Sequence, residues 1–396
     1  AIPGRANVDY VDGYKPTFFS LAPRPRPLPV KPSDHRLGLP QPDPLTKVFA
    51  PRAAPFPLEL RPRERIAFVG NSLAERMNLY GHFESLLHTR FPQLELVVRN
   101  FGWPGDAVNA QQRPDNYTKI DDPFKVFAPD LLLCFFGFNE SFAGAPALES
   151  FKASLRSFID ARNSDFKKNG APPRVVLVSP IAFENPRDPH LPDGVAHNQN
   201  LKLYAAAMRE VAGAMGVQYV DLFSPTEKLF AQSRGRQYTL NGVHLNEAGD
   251  RAVAGLLDAA LFVSANPAQF DSPEFACLRA AVNDKSFVHF NDYRNVNGWY
   301  VYGGRREPYD VETFPAEYNK LRAMAALRDR RVWDMLQKKA VSANIDDSVT
   351  GELKPVKTAF GTKPYSEPKE LRYLTPDEAL KSFTLPKGYA VNCFAS

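Results

Sequence analysis

The chain has 396 residues, 44% of them apolar, with 49 Lys and Arg against 44 Asp and Glu, a formal net charge of +5 at pH 7. That apolar share is ordinary for a globular core, and no apolar run approaches the ~18–20 residues that a spanning helix needs, which argues against a helical membrane protein. The excess of positive charge is small and spread out, and no nucleic-acid motif accompanies "RPRPLPVKP" (24–32) or "RPRER" (61–65), so solvated loops are favoured over a polyanion-binding face.

Residues 1–60 are rich in proline and poor in helical pattern; they read as an extended, polyproline-like arm, with Phe18, Phe19, Phe49 and Phe56 as docking points for a protein partner or the main domain. From Arg65 the texture changes. Short apolar runs at 65–70, 94–102, 131–137, 174–182 and 217–223 are near strand length and rich in Val, Leu, Ile or Phe. Between them lie helical spacings: Leu73, Met77, Tyr80, Phe83 and Leu87 predict one helix, and others are expected over 147–162, 198–214 and 247–261, the last capped by Asn246. Such alternation predicts a three-layer α/β fold, a parallel sheet covered by helices on both faces over 61–265. After about 266 the alternation stops. Residues 266–344 read as a helical accessory layer with many aromatic residues, and 345–396 as a linker or tail.

Three cysteines exclude a dense disulfide scaffold. Cys134 in "LLLCFFG" reads as a small core residue; Cys277 and Cys393 could pair in an oxidising compartment, but their spacing does not demand it. No CxxC or HExxH spacing argues for a metal site. His190 and His197, after the fourth strand, read as cleft-rim or solvated histidines.

In a parallel sheet all strands end at one edge, where ligands bind. Four polar groups fall just past predicted strands: Ser72 after the first, Gly105 in "NFGWPGD" after the second, Asn139 in "GFNES" after the third, and His244 in "NGVHL" after the fifth. Together they offer a hydroxyl nucleophile, a base to activate it, and an amide and a carboxamide to hold an oxyanion, the set that acyl transfer requires. Each has a plainer alternative: Ser72 could cap a helix, Gly105 could serve a turn, Asn139 could cap or turn, and His244 could be a packed histidine.

The four blocks, in this order, resemble the SGNH (GDSL-type) hydrolase family over about 65–262. The resemblance implies a flavodoxin-like sheet and a serine esterase without cofactor or metal, with Ser72 as nucleophile, His244 as base, Asn241 as its orienting partner, and Gly105 and Asn139 at the oxyanion. Esters of small molecules or carbohydrates, acetyl esters among them, are the implied substrates. The blocks "GNSLAERM", "RNFGWPGD", "FFGFNESFAG", "NGVHLNEAG" and "FNDYRNVNGWYVYGGR" are further similar to the SGNH-type domain at the front of large exported bacterial proteins. There a propeller-type dehydrogenase and a c-type haem domain follow, and "LPKGYAVNCFAS" (385–396) resembles the entry to that propeller. This implies export, the signal peptide being absent from this chain. No C-x-x-C-H occurs, so no covalent haem is expected here.

Two positions depart from the family pattern. Asn71 replaces the aspartate of the GDS motif. Asn241 replaces the aspartate that orients the histidine, which leaves three outcomes: a Ser-His dyad, another carboxylate such as Asp221 or Glu247, or an inactive fold serving as a binding or scaffold subunit.

Overall fold

The computed structural model describes residues 56–111, 113, 122–233, 235–262, 270–294, 314–342, 344–353 and 374–393. The expected arm, apart from 56–60, and the aromatic stretch from 295 lie outside the described residues. The chain divides into two compact units, 1–353 and 354–396. In the second, Pro376–Ser382 is a short helix whose start is fixed by a capping box between Thr375 and Glu378.

The first unit is built on five strands, β1 (Arg65–Gly70), β2 (Val97–Asn100), β3 (Leu131–Phe135), β4 (Arg174–Val178) and β5 (Gln218–Val220). They are all parallel, as expected, and run in the order β2-β1-β3-β4-β5, the flavodoxin-like doubly wound order that the family resemblance implies. Their side chains alternate between two buried layers. Ala67, Val69, Leu132, Cys134, Val175 and Leu177 face one; Ile66, Phe68, Leu131, Leu133, Val176 and Val178 face the other. Both faces are therefore dry, which is why these strands read as continuous apolar runs rather than alternating ones.

Among the described residues, seven α-helices alternate with and follow the strands up to Phe262: α1 (Ser72–Tyr80), α2 (His82–Arg90), α3 (Pro123–Phe127), α4 (Leu148–Asp165), α5 (Val195–Met215), α6 (Phe223–Gln232) and α7 (Glu247–Phe262). The helix expected over 73–87 is in fact two. Gly81, at φ 70°, ends α1 with its N–H on Met77 O (3.0 Å) and starts α2 in a new direction. The left-handed φ of this residue is what favours glycine at the break; a Cβ there would meet only the movable side-chain oxygen of Asn283, at 2.2 Å. The periodicity carried across the break because Met77, Phe83 and Leu87 enter the same apolar layer.

The helical region past 266 resolves into α8 (Pro273–Tyr293) and α9 (Phe314–Leu336), which pack against one another and over β2. The contact is polar as well as apolar. Arg99 of β2 makes a two-pronged pair with Asp329, Trp333 Nε1 donates to Leu96 O (3.0 Å), and Lys285 Nζ donates to Val98 O (3.0 Å) and to Glu84 (2.7 Å). An edge strand left open would template pairing with another chain; here α8 and α9 cover it.

Candidate active site

The order of strands reverses at β1, whose neighbours are β2 and β3, and in such sheets the crevice at the reversal is where ligands sit. The residue ending β1 is Gly70. A Cβ there would lie 2.1 Å from Phe135 O of β3, so only glycine lets the chain turn tightly between the two strands. Asn71 then donates its N–H to Phe135 O (3.1 Å), and its side-chain oxygen accepts from Leu73 N (3.0 Å). Asn71 is thus the cap of α1. This overturns the capping alternative for Ser72, which is the first helical residue, with its hydroxyl released from that duty at the positive end of the helix.

Ser72, Gly105, Asn139 and His244 line one pocket of about 270 Å³, with Phe135, Phe138, Pro180, Ile181 and Val243 supplying apolar wall. All four residues singled out from the strand ends are brought together. Gly105 presents an N–H with no hydrogen-bond partner among the described residues. Asn139 Nδ2 donates one hydrogen to Asp106 O (2.7 Å), which holds the carboxamide against the loop after β2 and leaves its second N–H. Glu140 clamps the same region, accepting from Val108 N (2.7 Å) and Gly137 N (2.9 Å). Asp106 is held by a bidentate pair with Arg113, both contacts 2.8 Å.

His244 Nδ1 lies 3.1 Å from Asn241 Oδ1, and the same oxygen accepts from His244 N (3.1 Å) and Val243 N (3.4 Å). The two backbone donors fix which end of the amide faces the ring. Because that end is an acceptor, Nδ1 carries the proton and Nε2 keeps its lone pair. Burial, with the Arg76 guanidinium nearby, lowers the His244 pKa below its ordinary value, so the ring is neutral at neutral pH. Neither carboxylate weighed from the sequence reaches it. Asp221 pairs with Arg209 and holds Ser224, and Glu247 pairs with Arg279. His197 lies in α5, not in the loop, packed at tilted and edge-on angles among Phe138, Phe142 and Phe183, while His190 is exposed.

Two contributors escaped the sequence. Arg76 lines the pocket one helical turn after Ser72, with Nη2 donating to Leu245 O (3.1 Å). Glu184, buried after β4, accepts from Tyr238 N (3.0 Å), Thr239 N (2.7 Å) and Thr239 Oγ1 (2.6 Å), and so secures the loop that carries Asn241 and His244. The spacing of Ser72 and Arg76 places both on one helix face, a signal available in the sequence; nothing local marks Glu184. Among the described residues no three His, Cys, Asp or Glu side chains gather as metal ligands would.

Residues 68–252 match the model of the GDSL-like lipase/acylhydrolase family. They form a GDSL-like lipase/acylhydrolase domain. Around this GDSL-like domain, similarity extends to the GDSL esterase/lipase CPRD49 of Arabidopsis thaliana, 23% identical over 208 residues that make up 49% of this chain and 77% of the plant protein. Among solved structures, a catalytic mutant of an acetylxylan esterase from Geobacillus stearothermophilus is 15% identical, with a TM-score of 0.41 over 52% of this chain and 96% of that one. A gut microbial diltiazem-metabolizing enzyme is 20% identical, with a TM-score of 0.42 over 54% of this chain and 49% of its own. The GDSL-like domain contains the whole pocket, since its lining runs from Asn71 to Leu245.

Proposed function

We propose that the GDSL-like domain is a serine esterase working through an acyl-enzyme. One observation carries the reading: an uncommitted serine hydroxyl at a helix N-terminus shares a pocket with a neutral histidine whose far nitrogen is already engaged. Family membership and the plant esterase/lipase support it. Ser72 Oγ attacks the ester carbonyl carbon while His244 Nε2 takes its proton. The oxyanion is held by the N–H groups of Ser72 and Gly105 and by the second Nδ2 hydrogen of Asn139. The alcohol leaves with the proton from His244, and water, deprotonated by the same nitrogen, releases the acid and frees Ser72. Asn241 serves as the positioning partner of the ring.

The apolar pocket suits a short acyl group on a small-molecule or carbohydrate ester, acetyl being the simplest. Export and the role of residues 1–60 as a contact for protein partners belong to the same proposal, on the resemblance to exported multidomain proteins. So does a position ahead of a propeller and haem domain.

A second reading has its own motive: Asn241 gives the imidazolium no counter-charge, as in a fold retained for binding alone. Hydrolysis of 4-nitrophenyl acetate separates the two. The esterase reading expects turnover that Ser72→Ala removes, and covalent labelling of Ser72 by a fluorophosphonate. Equal background rates from both proteins between mildly acidic and mildly alkaline pH, with no labelling, would leave only the scaffold.

A further inference from the structure

Arg76 is half-buried in the wall of the pocket, one turn along α1 from Ser72. Its guanidinium has five N–H donors. One contact is made, to Leu245 O, and Nε is enclosed with no partner. No carboxylate pairs with Arg76 among the described residues. Glu75, the acid that acts electrostatically with it, is committed to Arg294 (3.4 Å). Among the described residues the pocket lining contains no Asp or Glu, so the one formal charge they bring to it is positive, and the first turn of α1 adds the partial positive charge of its free amides. The enclosed Nε and the other open donors of this half-buried guanidinium leave hydrogen-bonding capacity for an incoming anion. The guanidinium also sits beside a histidine that must become positive in the proposed reaction, a placement that works against catalysis unless something negative arrives with the substrate.

We propose that Arg76 makes this pocket selective for esters that carry a carboxylate, such as O-acetylated sugar acids. The proposal rests on the esterase reading and names its substrate class. A bound carboxylate satisfies the open donors of Arg76, in the planar geometry for which arginine is suited. It also offsets the cation that opposes protonation of His244. A neutral ester does neither.

The test compares 4-acetoxybenzoate with its methyl ester, methyl 4-acetoxybenzoate, at a pH well above the histidine range, each rate being divided by that of uncatalysed hydrolysis to remove the difference in leaving group. The readout is the ratio of their kcat/KM values. Wild type is expected to favour the anion by roughly 10- to 100-fold, the span of one charge-assisted hydrogen bond. Arg76→Gln brings the ratio close to one and Arg76→Lys restores part of it, and added salt weakens the preference of wild type. A ratio near one in wild type, or one unmoved by Arg76→Gln, overturns the proposal. If neither probe is hydrolysed, the esterase reading fails by itself. Calorimetric binding of 4-hydroxybenzoate against its methyl ester then decides the role of Arg76: tighter acid binding that Arg76→Gln removes upholds it, and equal binding refutes it.

Discussion

At Asn241 a neutral amide occupies the place where a carboxylate would support a charged imidazole. Its oxygen accepts from two backbone N–H groups and from the ring, so an aspartate could take the same position with the same three donors. What it would add is charge. A negative group beside Nδ1 stabilises the imidazolium that forms as Ser72 loses its proton; in serine proteases the reverse change costs about 10⁴ in kcat. Asn241→Asp is therefore expected to raise kcat/KM for 4-nitrophenyl acetate by at least about tenfold. It should also raise the His244 pKa, which burial and Arg76 hold down, so the acid limb of the pH–rate profile moves to higher pH. Asn241→Ala, which orients nothing, should lower the rate. A pH–rate series on the three proteins checks this; an Asp variant with neither a faster rate nor a shifted limb would mean that Asn241 does not act through His244.

The loop between α6 and α7 is held from beneath by one buried carboxylate. Thr239 Oγ1 donates to Glu184 (2.6 Å) and accepts from Gly242 N (2.9 Å), while Glu184 N donates to Gly242 O (2.9 Å). The residues on either side of Asn241 are thus tied to the segment after β4. Glu184→Gln replaces one acceptor oxygen with a donor that faces backbone N–H groups, and each lost bond to a charged group costs about 1.5–3 kcal/mol. We expect a lower melting temperature and a fall in kcat larger than any rise in KM, because the ring of His244 loses its fixed approach; an unchanged kcat at full occupancy would show that the loop needs no such anchor. This anchor was invisible in the sequence because Glu184 and Tyr238 are 54 residues apart and meet only through the fold. The four strand-end blocks were legible for the opposite reason. Those of Ser72, Gly105 and Asn139 sit in the loops directly after β1, β2 and β3, and a parallel sheet gathers those loops without further information; the fourth, with His244, lies beyond α6 in the loop before α7, not directly after β5 as the sequence suggested. Arg76 lay between these cases: its spacing from Ser72 was plain, but an arginine on a helix is ordinarily solvated, and only its place in the pocket wall makes it exceptional. The break at Gly81 was hidden because both resulting helices feed one apolar layer.

Across the whole first unit, α8 and α9 contribute directly to the core against the sheet. Val332 and Trp333 of α9 and Val282 of α8 join the layer that holds Val69 and Cys134. Glu84 and Lys285 form a buried pair; burial pushes the Glu84 carboxyl up, but the Lys285 ammonium beside it holds it below its usual range. Next to this pair His289 is buried, with Nε2–H donating to Asn100 O (3.0 Å). Burial, reinforced by the charges of Arg99 and Lys285, keeps its pKa well below the ordinary value of 6.5. His289 is therefore neutral in the folded protein, whereas the unfolded chain takes up a proton below about pH 6.5. With the folded value depressed, the unfolded state binds more protons in that window. The contribution is complete above the unfolded pKa and shrinks by about 1.4 kcal/mol per pH unit as the solution is made more acidic. His289→Gln keeps an N–H for Asn100 O and removes the titration. Urea unfolding of wild type between pH 7.5 and 5 should show stability falling toward acid, and the variant should lose that part of the slope while being the less stable protein near pH 7.5. Parallel slopes in the two proteins would mean that His289 does not titrate on unfolding, and that the acid response of the α8–α9 layer comes from other groups.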